Sequence, residues 1–312
     1  ASSPKTSSVS SPSSSLSSKS TDSKNPGEPA DEATGGVPDF ESEGPQMEDE
    51  DETTYLYEED RNQALPVDDC ILAAMGGAMD GRTWSEDQRV ESAVAAVITV
   101  EDDSRYLPRT LEALLSQNVL PGEIIIAQAA GGKRTGKMDL GPGREIAVPR
   151  HQEGHPDQEE PCRIHAISVK AGSFSETVNA ALNQARDEGI ISNHVTDLLL
   201  LHDDSRPVGT SYLEGLLETK EKNPSATVIG TKQMDWADRS LRNVGYFAAP
   251  GHKVASLVVD GEEDQEQYDD RSDVFAVSLS GALANLNQWL HLSQGPYPFS
   301  TLGQSRDFCR RV

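Results

Sequence analysis

The chain's 312 residues predict an α/β fold: a three-layer sandwich built on a mostly parallel sheet and preceded by a disordered acidic tail. Three observations carry this. Short, uninterrupted apolar runs recur at strand length, amphipathic stripes with helical spacing lie between them, and the composition changes abruptly near residue 60.

Residues 1–20 hold 12 serines, and residues 1–60 carry 15 acidic side chains against 3 lysines. About half of the chain's formal charge of −25 therefore sits on its first fifth. So little apolar surface cannot offset the entropy lost on ordering, which predicts a disordered tail over 1–62. Residues 63–92 read as a short helical linker, with a small helix over Val67–Met79 loosened at Gly76–Gly77.

From residue 93 the pattern alternates. Ala93–Val100 (AVAAVITV) is an apolar run suited to a strand covered on both faces. Leu107, Leu111, Leu114 and Leu115 then mark one face of a helix with Pro108 in its first turn. Pro121–Gly122 reads as a break before a second strand, Glu123–Gln128. Residues 129–163 are rich in glycine, proline and charge, and predict a long surface loop. A third strand follows at Arg163–Val169. Ser173 and Glu176 have capping-box spacing ahead of the stripe Val178, Ala181, Leu182, Ala185, and Gly189 stops that helix. Asp197–Leu201 (DLLLL) is a fourth strand that runs straight into His202-Asp203-Asp204. A helix over Ser211–Lys222 and a strand at Ala226–Gly230 complete the pattern. Strands separated by single helices imply parallel pairing. Ligands of such sheets gather at the strands' carboxyl ends, which puts Thr99–Asp103, Gln128–Gly131, Lys170–Ser173 and His202–Ser205 on one rim.

Composition excludes several classes of function. The acidity argues against a nucleic-acid binder and against docking on anionic lipid. No run reaches the ~20 apolar residues of a membrane span. Cys70, Cys162 and Cys309 share no metal-ligand spacing and read as reduced thiols. No basic region followed by an apolar one marks a secretory signal.

Three motifs compete for the chemistry. Gly131–Met138 (GGKRTGKM) nearly fits a phosphate loop, but Met138 brings no hydroxyl and Gly141-Pro142-Gly143 stops the helix the loop requires. Asp203 and Asp204, adjacent at a strand end, suit a hard divalent cation through oxygen ligands, although acid pairs also serve as solvated turns. The seven histidines form no H-x-x-x-H pair and read as surface or structural side chains, and no G-x-S-x-G elbow is present.

Taken together, these segments resemble the family 2 glycosyltransferases with the GT-A fold, and most closely an actinobacterial, membrane-associated branch. Ala93–Gln128 looks like the opening unit of those enzymes, and Leu199–Ser205 (LLLHDDS) is similar to their acidic metal motif. Ile229–Trp236 (IGTKQMDW), Asn243–Gly245, Asp264–Asp269 (DQEQYD), Asp273–Val277 and Asp307-Phe308-Cys309 follow in matching order. The resemblance covers roughly residues 93–312 as a GT-A domain. Because family members usually continue into membrane-spanning segments, it implies a domain truncated at its C-terminal end, with membrane contact only through segments beyond it.

The resemblance implies transfer of a sugar from a UDP- or GDP-type donor to a glycan or lipid-linked acceptor in cell-envelope or surface polysaccharide synthesis. It implies a cytoplasmic location at the inner face of the plasma membrane. Asp203 and Asp204 would hold Mg²⁺ or Mn²⁺, Thr99, Glu101 and Gln128 would border the base, and Lys232, Asp235 and Trp236 would line the cleft. Asp307 would be the catalytic base. The chain also departs from the pattern. Gln128-Ala129-Ala130 replaces an expected Asp after the second strand, and Gln304-Ser305-Arg306-Asp307 replaces a richer run of acids. The Gly-Gly expected after Trp289 is missing. Two alternatives therefore stay open: a catalytically degenerate relative that binds nucleotide or a partner, and a nucleotidyltransferase. The second would want a glycine-rich loop after the first strand, where Glu101–Arg105 has none.

Overall fold

The structure, a computed structural model, describes residues 64–79, 88–101, 103–129, 144–152, 155–236, 239–250, 253–259, 261–269, 274–293 and 309. The serine-rich acidic segment, the GGKRTGKM motif and Asp307 lie outside the described residues.

The centre of the molecule is built by three apolar runs. Strands β1 (Arg89–Val100), β2 (Val119–Ala129) and β5 (Asp197–His202) pair in parallel in the order β2-β1-β5. Their alternate residues feed two separate cores. Ala96, Ile98, Ile124, Ile126, Leu199 and Leu201 point to one face, while Ala95, Val97, Ile125, Ala127, Leu198 and Leu200 point to the other. Helices α1 (Val67–Met79), α2 (Leu107–Leu115) and α4 (Tyr212–Lys222) cover the first face. Helices α3 (Phe174–Asp187) and α5 (Leu286–Ser293) cover the second. The expected three-layer, mostly parallel architecture is therefore present. Each of the four fully buried leucines of α2 contributes about 1.5–3 kcal/mol of apolar transfer free energy.

The sheet differs from expectation in three places. First, residues 144–152 and 155–162 are strand and not loop. Strand β3 (Arg144–Gln152) pairs antiparallel with the front of β4 (His155–Val169), and β4 joins β2 in parallel only from Arg163 onward. The charge and prolines that read as loop lie largely on this outer hairpin, where a proline forfeits little ladder bonding. Second, β2 runs through Pro121–Gly122 instead of starting after it. The register with β1 shifts there, and a Cβ on Gly122 would meet Ser92 Cα at 3.0 Å, so glycine permits the close approach. Third, β11 (Ala282–Asn285) lies between β5 and β6 (Val228–Ile229), antiparallel to both. β6 thus runs in the direction of β5 without touching it. The full order is β3-β4-β2-β1-β5-β11-β6. Two small antiparallel pairs stand apart, β7 (Gln233–Met234) with β8 (Leu241–Asn243) and β9 (Tyr246–Ala249) with β10 (Lys253–Ser256).

Helix α1 forms over the apolar run Val67–Met79. Val67, Cys70, Ile71 and Ala74 are buried in the same core as α2. The α3 start is also modified: Ser173 makes no side-chain capping bond, and Glu176 instead accepts from the Gly172 amide at 3.1 Å. Among the described residues, no helix is long and apolar enough to cross a membrane.

The thiols are shielded. Burial pushes Cys70 up to about 12, helped by the negative charges of Asp69, Asp103 and Asp203, and pushes Cys162 to about 12. Cys309 is raised for the same reason. Thiolate is the reactive form. Ellman's reagent at pH 8 is therefore expected to titrate less than one thiol per native chain and all three after unfolding in guanidinium. Rapid modification of the native protein would contradict this burial.

Candidate metal centre

The parallel strands bring four carboxyl ends to one rim, as their register demands. Thr99 on β1 lies opposite Ala127 of β2 and His202 of β5, and Ala129 of β2 lies opposite Val169 of β4. β5 ends at His202, and the chain turns there, with the Ser205 amide donating to the His202 carbonyl at 2.9 Å. That turn presents His202, Asp203 and Asp204 together. One ligand atom from each lies within 4.8 Å of the others, a grouping able to hold a metal ion.

Asp203 is the most tightly held of the three. Its amide donates to the Thr99 carbonyl at 3.0 Å and its carbonyl accepts from Thr110 Oγ1 at 2.6 Å. Its carboxylate Oδ2 accepts a bond from the Ser104 hydroxyl, and Oδ1 lies 2.8 Å from His202 Nδ1. Only 13% of its side chain is exposed, against 56% for Asp204. Asp204 Oδ1 lies 3.0 Å from the same imidazole nitrogen, and its carbonyl accepts from Trp236 Nε1 at 3.2 Å. The His202 ring stacks on Phe174, the first residue of α3, with centroids 6.4 Å apart.

The electrostatics follow from this geometry. Hydrogen bonds to Asp203 and Asp204 raise the His202 imidazole to about 10, against the opposing effect of burial. Asp204 is correspondingly held below the usual carboxylate range, chiefly by His202. The same imidazole nitrogen thus lies within hydrogen-bond distance of both carboxylates. Two carboxylates suit Mg²⁺ or Mn²⁺ through oxygen, and an added imidazole nitrogen favours Mn²⁺ over Mg²⁺.

The structure gathers some predicted site residues and separates others. Thr99 is buried at the end of β1, and its Oγ1 has no hydrogen-bond partner among the described residues. Glu101 is exposed just beyond it, and Gln128 is buried near the end of β2, opposite Val100. Trp236, 48% exposed, joins the acid pair through its indole N–H. Lys232 does not share these contacts: its ammonium is committed to Asp264 at 2.7 Å and Asp269 at 2.6 Å. It lines a separate cleft of ≈ 960 Å³ with Tyr212, Thr219, Asn223 and Phe275, and none of the acid-pair residues lines that cleft. Asp235 accepts two bonds from Arg242, at 2.6 and 2.9 Å.

Sequence reasoning missed three contributors. His202 lies in the LLLHDDS segment that resembles the acidic metal motif, but the sequence reading assigns the metal to Asp203 and Asp204 alone. Ser104 is 99 residues from Asp203, and no local pattern reveals that bond. Arg206 holds its guanidinium 5.3 Å from the Trp236 ring centroid, a contact that only the fold creates.

Comparison with protein-family models and with curated protein sequences gives no match. Among solved structures, the chain is similar to a 4-diphosphocytidyl-2C-methyl-D-erythritol synthase, with 10% identity, TM-score 0.39, and coverage of 71% of this chain and 86% of that one. It is similar to S. aureus TarS at 11% identity and TM-score 0.39, covering 69% of this chain and 52% of that one. The synthase from Anaerococcus prevotii gives 10% identity and TM-score 0.33, covering 70% and 83%. Likeness at this level carries no functional information of its own.

Proposed function

We propose that the chain is a metal-dependent, inverting glycosyltransferase of the GT-A type, moving a sugar from a UDP- or GDP-type donor to the hydroxyl of a glycan or lipid-linked acceptor. The observation that carries this reading is the His202-Asp203-Asp204 group at the carboxyl end of a central parallel strand. Mg²⁺ or Mn²⁺ held there by Asp203 and Asp204 would neutralise the departing nucleoside diphosphate. The acceptor oxygen bonds to the anomeric carbon as the bond to the diphosphate oxygen breaks, and the acceptor proton passes to a carboxylate. On the family resemblance that carboxylate is Asp307.

Trp236 supports the reading as an exposed aromatic face tied to the Asp204 backbone, suited to lie against a sugar ring. Arg206 supports it differently. In a chain of net charge −25, it is an exposed cation with no carboxylate paired to it among the described residues, resting on Trp236 two positions from the acid pair. A diphosphate is the partner such a cation fits. Arg206→Ala is expected to weaken UDP or GDP binding about 10-fold while leaving Mn²⁺ affinity unchanged, as charge-assisted bonds are worth about 1.5–3 kcal/mol. Calorimetry with each nucleotide in the presence of Mn²⁺ checks this.

One observation favours a second reading. Gln128 occupies the buried end of β2 where the resemblance expects a carboxylate, which fits a relative that binds nucleotide without turning it over. Calorimetry with UDP- and GDP-sugars and Mn²⁺, followed by an assay for released nucleotide, separates the two. Binding with release supports transfer, binding without release supports the second reading, and no metal-dependent binding removes the first.

A further inference from the structure

We propose that Ser104 is a positioning residue for the metal site, fixing the Asp203 carboxylate, and that the segment Leu65–Met79 is the strut that fixes Ser104. This rests on the reading of Asp203 and Asp204 as metal ligands.

The argument turns on where the single hydroxyl proton of Ser104 goes. Its Oγ accepts from the Tyr106 amide at 3.1 Å and from the Leu107 amide at 3.1 Å. A serine hydroxyl has two lone pairs and one proton. With both lone pairs engaged by N–H donors, the proton is left to point at Asp203 Oδ2, the third neighbour of that oxygen. Ser104 is therefore a donor of defined direction. Together with His202 at Oδ1, it holds the carboxylate from both oxygens and fixes its orientation. A ligand held in advance loses less freedom when it takes up a metal, and hydrogen bonds of this kind behind a ligand typically govern 10–100-fold of metal affinity.

Ser104 is held in turn by a part of the chain outside the alternating strand and helix pattern. Its amide donates to the Leu65 carbonyl at 2.9 Å, and its carbonyl accepts from the Leu65 amide at 3.1 Å. The Cys70 thiol, one turn into α1, also lies 3.3 Å from that carbonyl. Ser104 is 3% exposed, and Val67, Cys70, Ile71 and Ala74 anchor α1 in the core beside α2. Backbone and side chain of Ser104 thus link α1, the start of α2 and the acid turn after β5.

The test is Mn²⁺ affinity of the full chain, read by the electron paramagnetic resonance of free Mn²⁺, with melting temperature measured in parallel. Ser104→Ala is expected to weaken Mn²⁺ binding about 10- to 100-fold, and Ser104→Thr, which keeps the hydroxyl, to stay within about threefold of wild type. Trp289→Ala opens the core on the opposite face of the sheet, away from these contacts. It is expected to lower the melting temperature at least as much as Ser104→Ala and to leave Mn²⁺ affinity unchanged. Equal affinity of Ser104→Ala and wild type overturns the proposal, and so does a loss in Trp289→Ala as large as in Ser104→Ala. Failure of the wild-type chain to bind Mn²⁺ is a distinct result, which removes the metal assignment itself.

Discussion

Replacing Asp204 with alanine is expected to lower metal-dependent donor binding by more than about 100-fold, beyond the 10–100-fold typical of groups that merely support a ligand. The fold should survive. The Asp204 side chain is more than half exposed, and the bond it receives from Trp236 is made to its backbone carbonyl, which alanine retains. Substitutions at such positions usually change stability by no more than about 0.5 kcal/mol. The melting curve of the metal-free variant should therefore overlay that of wild type, while calorimetry with a nucleotide sugar and Mn²⁺ loses its heat. Unchanged donor affinity would remove Asp204 from the metal site.

The second large effect concerns stability and lies at the other end of the sheet. Trp289 on α5 is fully buried, and its indole N–H donates to Asn179 Oδ1 on α3 at 2.8 Å. Replacing it with alanine leaves a cavity and a deprived amide, and is expected to cost about 3–5 kcal/mol. For a domain of this size that corresponds to a fall in melting temperature of roughly 6–20 °C. Mn²⁺ affinity measured well below the transition should stay at the wild-type value. The reason is positional: α5 follows directly from Asn285, which pairs with Asp197 at the amino end of β5, whereas the acids follow its carboxyl end. A loss of metal affinity in this variant would mean that the rim and the far core are coupled.

What could be read from the sequence was whatever is decided locally. β1 and β5 were visible because burial on both faces demands unbroken apolar runs, and the leucine stripe of α2 because a helix repeats its buried face. The acid pair was visible because it interrupts such a run. The hairpin from Arg144 to Cys162 was hidden by its own charge and prolines, which an outer hairpin tolerates and a central strand does not. The place of β11 was hidden for a different reason. Four residues, ALAN, carry no period that says which strands they pair with, and their partners lie 54 to 88 positions away. Lys232 was assigned to the cleft through a resemblance. Its commitment to Asp264 and Asp269 depends on a loop closing over more than 30 residues, which side-chain spacing does not encode.

The late arrival of β11 has a consequence for how the molecule is made. Until residues 282–285 emerge and dock, the strand bearing the His202-Asp203-Asp204 group is the border of an unfinished sheet, with one row of amides and carbonyls unmatched. Nascent or prematurely ended chains would offer that sticky border to one another, so the acid-bearing strand gains its second neighbour only after about 80 further residues have been made.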